Sequence, residues 1–110
     1  MEKAKLVSEF DEAMVEIYRR ALSEANYKAS RFLSMVQDDG GFATARYLIH
    51  AAQVSEGYAA LWERKRLDLT VEAMVLSNTK WHPLFTTEEL ERCSGRLKEY
   101  GYEVSPSNKL

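Results

Sequence analysis

This chain of 110 residues is 45% hydrophobic and 29% charged, which is the length and balance of one folded domain rather than of a disordered segment. Its net charge of −2 argues against a dedicated nucleic-acid binder, although a local basic face stays open. A single cysteine excludes an internal disulfide, and no apolar run reaches the roughly 18 residues of a membrane span, so we expect a soluble, cytoplasmic protein.

The first predicted element is a long helix from Glu2 to about Ala25. Apolar residues recur in it at steps of three or four, which is the spacing of one helix face. They are Leu6, Phe10, Met14, Ile17 and Ala21. A second helix, in "KASRFLSMVQDD", ends at Gly40-Gly41, because glycine adopts a positive φ at little cost.

The third and fourth predicted helices are shorter. In the stretch "FATARYLIHAAQ" the spacing places four apolar side chains on one face. They are Phe42, Ala45, Ile49 and Ala52. Ser55 then opens a fourth helix that runs through Tyr58, Leu61 and Trp62, because a serine hydroxyl can bond the free amides of a first turn.

A fifth helix is predicted from Leu69 to about Ser77. Either Asp68 or Thr70 can cap it, since both carry a short side-chain acceptor. The stretch "NTKWHPLF" that follows is predicted to be a connector, because Pro83 disfavours a helical conformation in the residue before it.

The last predicted helix has the clearest boundaries. Thr86 and Glu89 have the capping-box spacing, in which each side chain bonds the backbone amide of the other. Gly101 follows the final turn, where glycine commonly ends a helix. The sequence therefore predicts an all-α fold over residues 1–102: a compact bundle of about six helices, one of them long and N-terminal. A loose tail is predicted over residues 103–110.

Few residues suggest chemistry. Cys93 lies at helical spacing from Leu90 and Leu97, which predicts a buried core thiol rather than a nucleophile. The two histidines, His50 and His82, each lack a second metal ligand three or four residues away. We therefore expect no catalytic residue, no cofactor and no metal site.

Aromatic residues make up 11% of the chain. Tyrosine and tryptophan are common at protein interfaces because they combine an apolar body with one polar atom. Two interpretations stay open: these side chains fill gaps between short helices, or some of them form a partner-binding face. The candidates for such a face are Tyr47, Tyr58, Trp62 and Trp81, together with Arg64 and Lys65.

The stretch "RKRLD" is a dense polar segment between the fourth and fifth predicted helices. As a structural joint it would use Asp68 as a helix cap and Arg66 as the ion-pair partner of Asp68 or Glu72. This interpretation leaves Arg64 and Lys65 without a structural task and available to a partner.

Several motifs in one order resemble a family of small all-helical bacterial domains. They are "RFL", Gly40-Gly41, "LWE", "RLDLTVE" and a final "YGY", and they extend from Tyr27 to Tyr102. The chain departs from the family at Lys28-Ala29-Ser30, where Asn-Pro-Thr is typical. The resemblance implies an all-helical fold, and family members are sometimes attached to nuclease modules of HNH type. The histidines here lack the Asn and Cys pattern of such a nuclease, so the resemblance does not imply catalysis.

Three hypotheses of function follow. The leading one is a non-enzymatic helical domain that binds another protein, plausibly a second copy of itself as a homodimer. The second is a nucleic-acid-binding accessory domain of a nuclease or defence system, which would use six basic residues. They are Arg31, Arg46, Arg64, Lys65, Arg66 and Lys80. The third is a phage or mobile-element inhibitor of a host defence enzyme.

Overall fold

Eight helical segments follow one another along residues 2–102, the part of the chain that the computed structural model describes. Six are α-helices: α1 (Glu2–Ala25), α2 (Ser30–Asp39), α3 (Gly41–His50), α4 (Glu56–Glu63), α5 (Val71–Ser77) and α6 (Thr87–Glu99). The two others are short 3-10 helices, Leu67–Leu69 and Thr79–Leu84. No strand occurs within 2–102, so the all-α prediction is confirmed. The tail predicted over residues 103–110 lies outside the described residues.

Helix α1 buries the apolar face that its spacing predicts. Phe10 and Met14 are fully buried, and Ile17 and Ala21 are nearly so. Phe10 is the centre of an aromatic cluster, since its ring packs edge-on against Trp81 at 5.3 Å and against Phe85 at 5.6 Å. Edge-to-face packing of this kind adds to the gain from burying the rings.

Helix α3 contacts α1, α2 and α6, and two of its predicted core residues, Ala45 and Ile49, are fully buried. The prediction for Ala52 is wrong. Helix α3 ends at His50, and Ala52 is exposed in the loop that follows. The helical spacing no longer applies once the chain has left the helix.

The two glycines at the start of α3 have different tasks. Gly40 has a φ of 89°, the left-handed conformation that glycine adopts without a steric penalty. At Gly41 the constraint is space, because a Cβ atom there would lie 2.9 Å from the Cα atom of Asp11. That approach lets the Asp11 carboxylate accept hydrogen bonds from the amides of Gly41, at 2.8 Å, and of Phe42, at 3.3 Å. Asp11 therefore caps α3 from α1.

The joint after α4 is a left-handed helix end. Lys65 has a φ of 61°, the Arg66 amide donates to the Leu61 carbonyl at 2.8 Å, and the Lys65 amide donates to the Trp62 carbonyl at 3.0 Å. These two bonds define a Schellman motif, in which the left-handed residue is usually glycine. Lys65 is therefore part of the joint, which corrects the expectation that Lys65 has no structural task.

Arg64 also serves the joint. Its guanidinium donates to the carbonyls of Ala25 at 3.0 Å and Ala60 at 3.1 Å, so it satisfies acceptors at the ends of α1 and α4. It also lies 5.0 Å from the centre of the Tyr27 ring, within the range of a cation–π interaction. The expectation that the joint does not need Arg64 is wrong.

Thr70, and not Asp68, caps α5. The Thr70 hydroxyl accepts the Ala73 amide at 3.2 Å. Asp68 lies inside the short 3-10 helix before the cap, where its carboxylate receives two hydrogen bonds from Arg66 at 2.9 and 3.0 Å. Arg66 also pairs with Glu24 of α1 at 2.7 Å rather than with Glu72. Asp68 is too early in the chain to reach the first amides of α5.

The predicted connector between α5 and α6 is a 3-10 helix, Thr79–Leu84, that contains Pro83. Pro83 disfavours an α-helical conformation in the residue before it, but the fixed φ of proline fits this tighter 3-10 helix. The turn carries Trp81 into the core, where 6% of the residue is exposed. Trp81 is therefore not part of a partner-binding face, which corrects that expectation.

Both predicted boundaries of α6 are confirmed. The Thr86 hydroxyl accepts the Glu89 amide at 3.1 Å, and the Glu89 carboxylate accepts the Thr86 amide at 2.9 Å. At the other end Gly101 has a φ of 81°, and the Tyr102 amide donates to the Leu97 carbonyl at 2.8 Å. Helix α6 thus begins at a capping box and ends at a Schellman motif.

Replacing Lys65 by glycine should stabilise the protein by about 0.5–1 kcal/mol, because glycine removes the cost of the left-handed conformation at this helix end. Urea unfolding measures the change. The matched control is Glu12→Gly, at an exposed site inside α1, which should instead destabilise the protein by about 1 kcal/mol. A loss of stability in Lys65→Gly would contradict the joint described above.

Candidate functional site

An open cleft of about 1140 Å³ lies among the first five α-helices. Its apolar lining comes from both sides of the fold, with Ile17 and Ala21 on α1, Leu48 on α3 and Leu61 on α4. Ligand sites in proteins are concave, mostly apolar and supplied with a few polar groups. The cleft has this character.

Two residues of the cleft lining carry buried hydroxyl groups. Thr44 of α3 is 1% exposed, and Tyr58 of α4 is 2% exposed. Within residues 2–102 neither hydroxyl oxygen has a hydrogen-bond partner, and neither is open to the cleft. A buried polar atom without a partner destabilises a fold.

A buried ion pair includes another residue of the cleft lining. Glu72 of α5 lines the cleft, and its carboxylate accepts a hydrogen bond from Arg96 of α6 at 3.1 Å. Both side chains are more than nine-tenths buried. Burial raises the pKa of Glu72, and the guanidinium of Arg96 offsets only part of that effect.

Arg96 and its neighbour on α6 also bind the end of α3. Arg96 donates to the carbonyl of Leu48 at 2.9 Å and to that of Ala51. Arg92 donates to the carbonyls of Ile49 at 2.6 Å and Ala51 at 2.9 Å. These carbonyls carry the partial negative charge of a helix C-terminus, which cations stabilise. Helix α3, which contributes to the cleft lining, is thus bound at its C-terminal end to α6.

Tyr58 is not the exposed aromatic residue that the sequence suggested. Its ring packs edge-on against Tyr100 at 5.2 Å, in a cluster with Leu67, Ala73 and Leu97. Burial raises the pKa of Tyr58, and the negative charge of Glu72 raises it further. The hydroxyl therefore stays protonated and is able both to donate and to accept a hydrogen bond.

The rim of the cleft is polar and carries charges of both signs. Tyr47 is 65% exposed on the α3 side. Along α2 the rim is basic at the start, at Lys28 and Arg31, and acidic at the end, at Asp38 and Asp39. Helix α2 therefore presents a gradient of charge to anything that lies along the cleft.

The six predicted partner-binding residues do not form one surface. Tyr47 and Tyr58 both belong to the cleft lining, but Tyr47 is exposed and Tyr58 is buried. Trp62 is 48% exposed at the end of α4 and packs edge-on against Tyr100 at 5.7 Å. Arg64 and Lys65 follow it in the joint, and Trp81 lies in the core.

Glu89 has a second role besides the capping box. Its carboxylate, which is buried, accepts Arg46 at 2.9 Å and contacts the His50 ring nitrogen at 2.6 Å. Burial alone would raise the pKa of Glu89, but the hydrogen bonds from Thr86, His50 and Arg46 outweigh it and hold the pKa at about 2. This cluster joins α3 to α6 on the outside of the fold.

Cys93 is fully buried on α6, as its spacing predicts. Burial raises the pKa of its thiol to about 12, so the thiolate that nucleophilic chemistry needs does not form near neutral pH. Within the described residues, no three or more His, Cys, Asp or Glu side chains come together in a way that could hold a metal ion.

Sequence reasoning missed Thr44, Glu72 and Arg96. Two signals pointed to Glu72 and Arg96. Glu72 is a charged residue in an otherwise apolar short helix, and Arg96 lies one turn from Cys93, beside the inward face of α6. A charged residue at an inward position needs a buried partner, so an ion pair between Glu72 and Arg96 was predictable. Thr44 carried no such signal, because threonine is common on either face of a helix.

Comparison of the chain with protein-family models, with curated proteins and with solved structures gives no match. Among the helices of residues 2–102, none has both the length and the apolar character needed to cross a membrane.

Arg96→Met should destabilise the protein by about 3–5 kcal/mol, because it leaves the Glu72 carboxylate buried without its partner. Thermal and urea unfolding measure the loss. Arg92→Met is the matched control: it also removes a donor to the Ala51 carbonyl, but this arginine is exposed and has no buried counter-ion. It should cost about 1–2 kcal/mol. Equal losses would contradict the role given to the Glu72 pair.

Glu89→Gln should lower stability at neutral pH by about 1–3 kcal/mol, because the neutral amide loses the charge interaction with Arg46 and the carboxylate contact with the His50 ring. A carboxylate whose pKa is lowered on folding stabilises the fold above its unfolded pKa. The gap to wild type should therefore close as the pH falls from about 4.5 to about 2. Urea unfolding as a function of pH tests this. Glu88→Gln, at an exposed position next to Glu89, is the control and should show a much smaller gap. A gap that persists at pH 2 would contradict the assignment.

Proposed function

We propose that this protein is a non-enzymatic helical interaction domain that binds a segment of another protein in the cleft between α2, α3 and α4. One observation carries the proposal: the fold leaves an open cleft of about 1140 Å³ that combines apolar lining residues with charged residues of both signs. A domain that served only as a packed spacer would close such a cleft, because packing it would bury apolar area.

The size and openness of the cleft favour a peptide segment over a small molecule. Pockets for small molecules usually enclose about 300–1,000 Å³ and surround most of their ligand. This cleft exceeds that range and runs beside the whole of α2, whose ten residues extend about 15 Å. Tyr47 stands exposed at its rim, and tyrosine is enriched where proteins bind one another.

Charge along α2 indicates the chemistry of the segment. The basic end at Lys28 and Arg31 favours an acidic residue, and the acidic end at Asp38 and Asp39 favours a basic one. Between these ends the lining is apolar, so the segment would present aliphatic or aromatic side chains to Ile17, Leu48 and their neighbours. A helix or extended strand that is apolar on one face, acidic at one end and basic at the other fits these demands.

The basic residues give less support to nucleic-acid binding. Three of the six candidate cations pair with carboxylates of the same chain: Arg46 with Glu89, Arg66 with Asp68 and Glu24, and Lys80 with Glu9. Phosphate binding would have to compete with these pairs, and its strength depends on the number of unpaired cations that one face offers. We therefore favour the protein partner.

The ionisable groups near the cleft favour binding over catalysis. The Glu72 carboxylate is engaged by Arg96, and the Cys93 thiol is buried with a raised pKa. A general base or nucleophile needs an accessible side chain in its reactive protonation state, and these two groups do not meet that requirement.

Ala43→Arg tests the proposal. Ala43 is exposed and lines the cleft, so an arginine there fills the mouth without disturbing the core. A display library of random peptides of about 12 residues is selected against the full-length protein. We expect selected peptides to bind wild type at least about 10-fold more tightly than Ala43→Arg, as measured by fluorescence anisotropy.

The matched control is Ala4→Arg, which adds the same charge at an exposed position of α1 that does not line the cleft. It should bind the selected peptides like wild type. Peptides that bind Ala43→Arg as well as wild type would refute the cleft as the binding surface. A concentration-dependent dimer in sedimentation that Ala43→Arg dissociates would instead identify a second copy of this chain as the occupant.

A further inference from the structure

The geometry points to helix α2 as a movable wall of the cleft: it swings outward about Ala29 and Gly40 to admit the partner segment, and it closes on that segment through Phe32 and Met35. This inference rests on the proposed function and adds to it how the site opens and closes. The way in which α2 is held, compared with α3 beside it, is the observation that carries it.

Helices α2 and α3 have the same length but unequal anchorage. Each contains ten residues, yet α3 buries four of them and α2 buries only Val36. The main contacts of α2 are with α1 and α3, whereas α3 also contacts α6. Regions with few buried apolar contacts open at a lower free energy than the rest of a fold. Helix α2 therefore detaches more readily than α3.

Polar contacts between helices also bypass α2. Within residues 2–102, the side-chain hydrogen bonds and ion pairs between helices join α1, α3, α4, α5, α6 and the second 3-10 helix, and none of them reaches α2. The start of α2 has no side-chain cap, because its N-cap residue is Ala29. An outward swing of α2 thus separates packed side chains without breaking a polar bond to another helix.

The chain is fixed immediately outside α2 at both ends. Before α2, the Tyr27 amide donates to the Ala21 carbonyl at 3.0 Å, and the Arg64 guanidinium lies 5.0 Å from the centre of the Tyr27 ring. After α2, the Asp11 carboxylate accepts the Gly41 amide at 2.8 Å. The part of the chain that can move therefore runs from residue 28 to residue 40.

The two hinges lie just inside these fixed points. Ala29 precedes the first turn of α2 and belongs to no helix. Gly40 has a φ of 89°, and a Cβ atom at this position would meet no other atom within 4 Å, so the backbone has both conformational freedom and open space. Hinge motions are absorbed by a few residues of this kind at the ends of an element.

The face of α2 that lines the cleft shows what would hold the helix closed. Phe32 and Met35 lie on this face and are partly exposed, with Arg31 before them and Asp38 after them. A partner segment in the cleft covers this apolar surface, which the free protein leaves in contact with water. A ligand shifts a protein towards the state that it binds better, so the bound segment favours the closed position of α2.

Val36→Cys tests the movement, because its thiol is covered by the core unless α2 swings out. The full-length variant is treated with N-ethylmaleimide at neutral pH, and labelling is followed by mass spectrometry. Val75→Cys is the matched control, since Val75 is buried in the same core cluster on α5. We expect the thiol of Val36→Cys to react at least about 100-fold faster than that of Val75→Cys, because local opening exceeds global unfolding.

Urea unfolding of both variants separates local opening from a loss of overall stability. Equal labelling rates, or a difference that the two unfolding free energies account for, would overturn the movement of α2. Cys93 is an internal reference in both variants, because it is fully buried on α6 and should stay unlabelled over the same time.

A selected peptide whose binding is weakened by Ala43→Arg tests the closure. At a saturating concentration it should slow the labelling of Val36→Cys by at least about 10-fold and leave that of Val75→Cys unchanged. A peptide that binds without slowing the labelling would overturn the closure and leave the cleft proposal in place. If no selected peptide responds to Ala43→Arg, the cleft and the closure are both refuted, whereas labelling of the free protein still decides whether α2 moves.

Discussion

Helix α3 is held at both ends by charged side chains of other helices. Asp11 of α1 accepts hydrogen bonds from its first amides, and Arg92 and Arg96 of α6 donate to its last carbonyls. The N-terminus of a helix carries partial positive charge and the C-terminus partial negative charge, so all of these contacts have the favourable sign. Because Gly41 has no side chain, α1 can approach closely enough for the first of them to form. The positions of α1 and α6 are thereby set relative to α3.

The cleft follows from this arrangement. Arg96 binds the end of α3 and also Glu72, so one guanidinium links α3, α5 and α6 below the cleft. A buried ion pair adds little stability over apolar residues of the same volume, and unpartnered hydroxyls subtract from it. The residues around Glu72, Thr44 and Tyr58 thus depart from the packing that stability alone would favour.

The basic residues show how a fold changes the meaning of a sequence pattern. In the sequence Arg64, Lys65 and Arg66 form a polar patch that resembles a binding surface. In the structure Arg64 satisfies the carbonyls of two helix ends, Lys65 takes the left-handed conformation, and Arg66 pairs with two carboxylates. The patch is chiefly a joint between helices.

The sequence by itself determined the helices and their caps, because these depend on interactions within a few residues. The spacing of Phe10 and Met14, the capping box at Thr86 and the glycine at position 101 all act locally and could be read directly. Local rules failed where two options were equally close in sequence, as for Asp68 and Thr70, since the reach of a side chain to one amide decided between them. They also failed for Tyr58 and Trp81, because the number of aromatic residues in a sequence does not show which of them are buried. Only the tertiary structure decided the cleft and two contacts, that of Asp11 with Gly41 and that of Arg96 with Glu72. Each contact joins residues 24 or more positions apart in the chain. These features depend on how the helices pack against one another, and a pattern of neighbouring residues does not determine that packing.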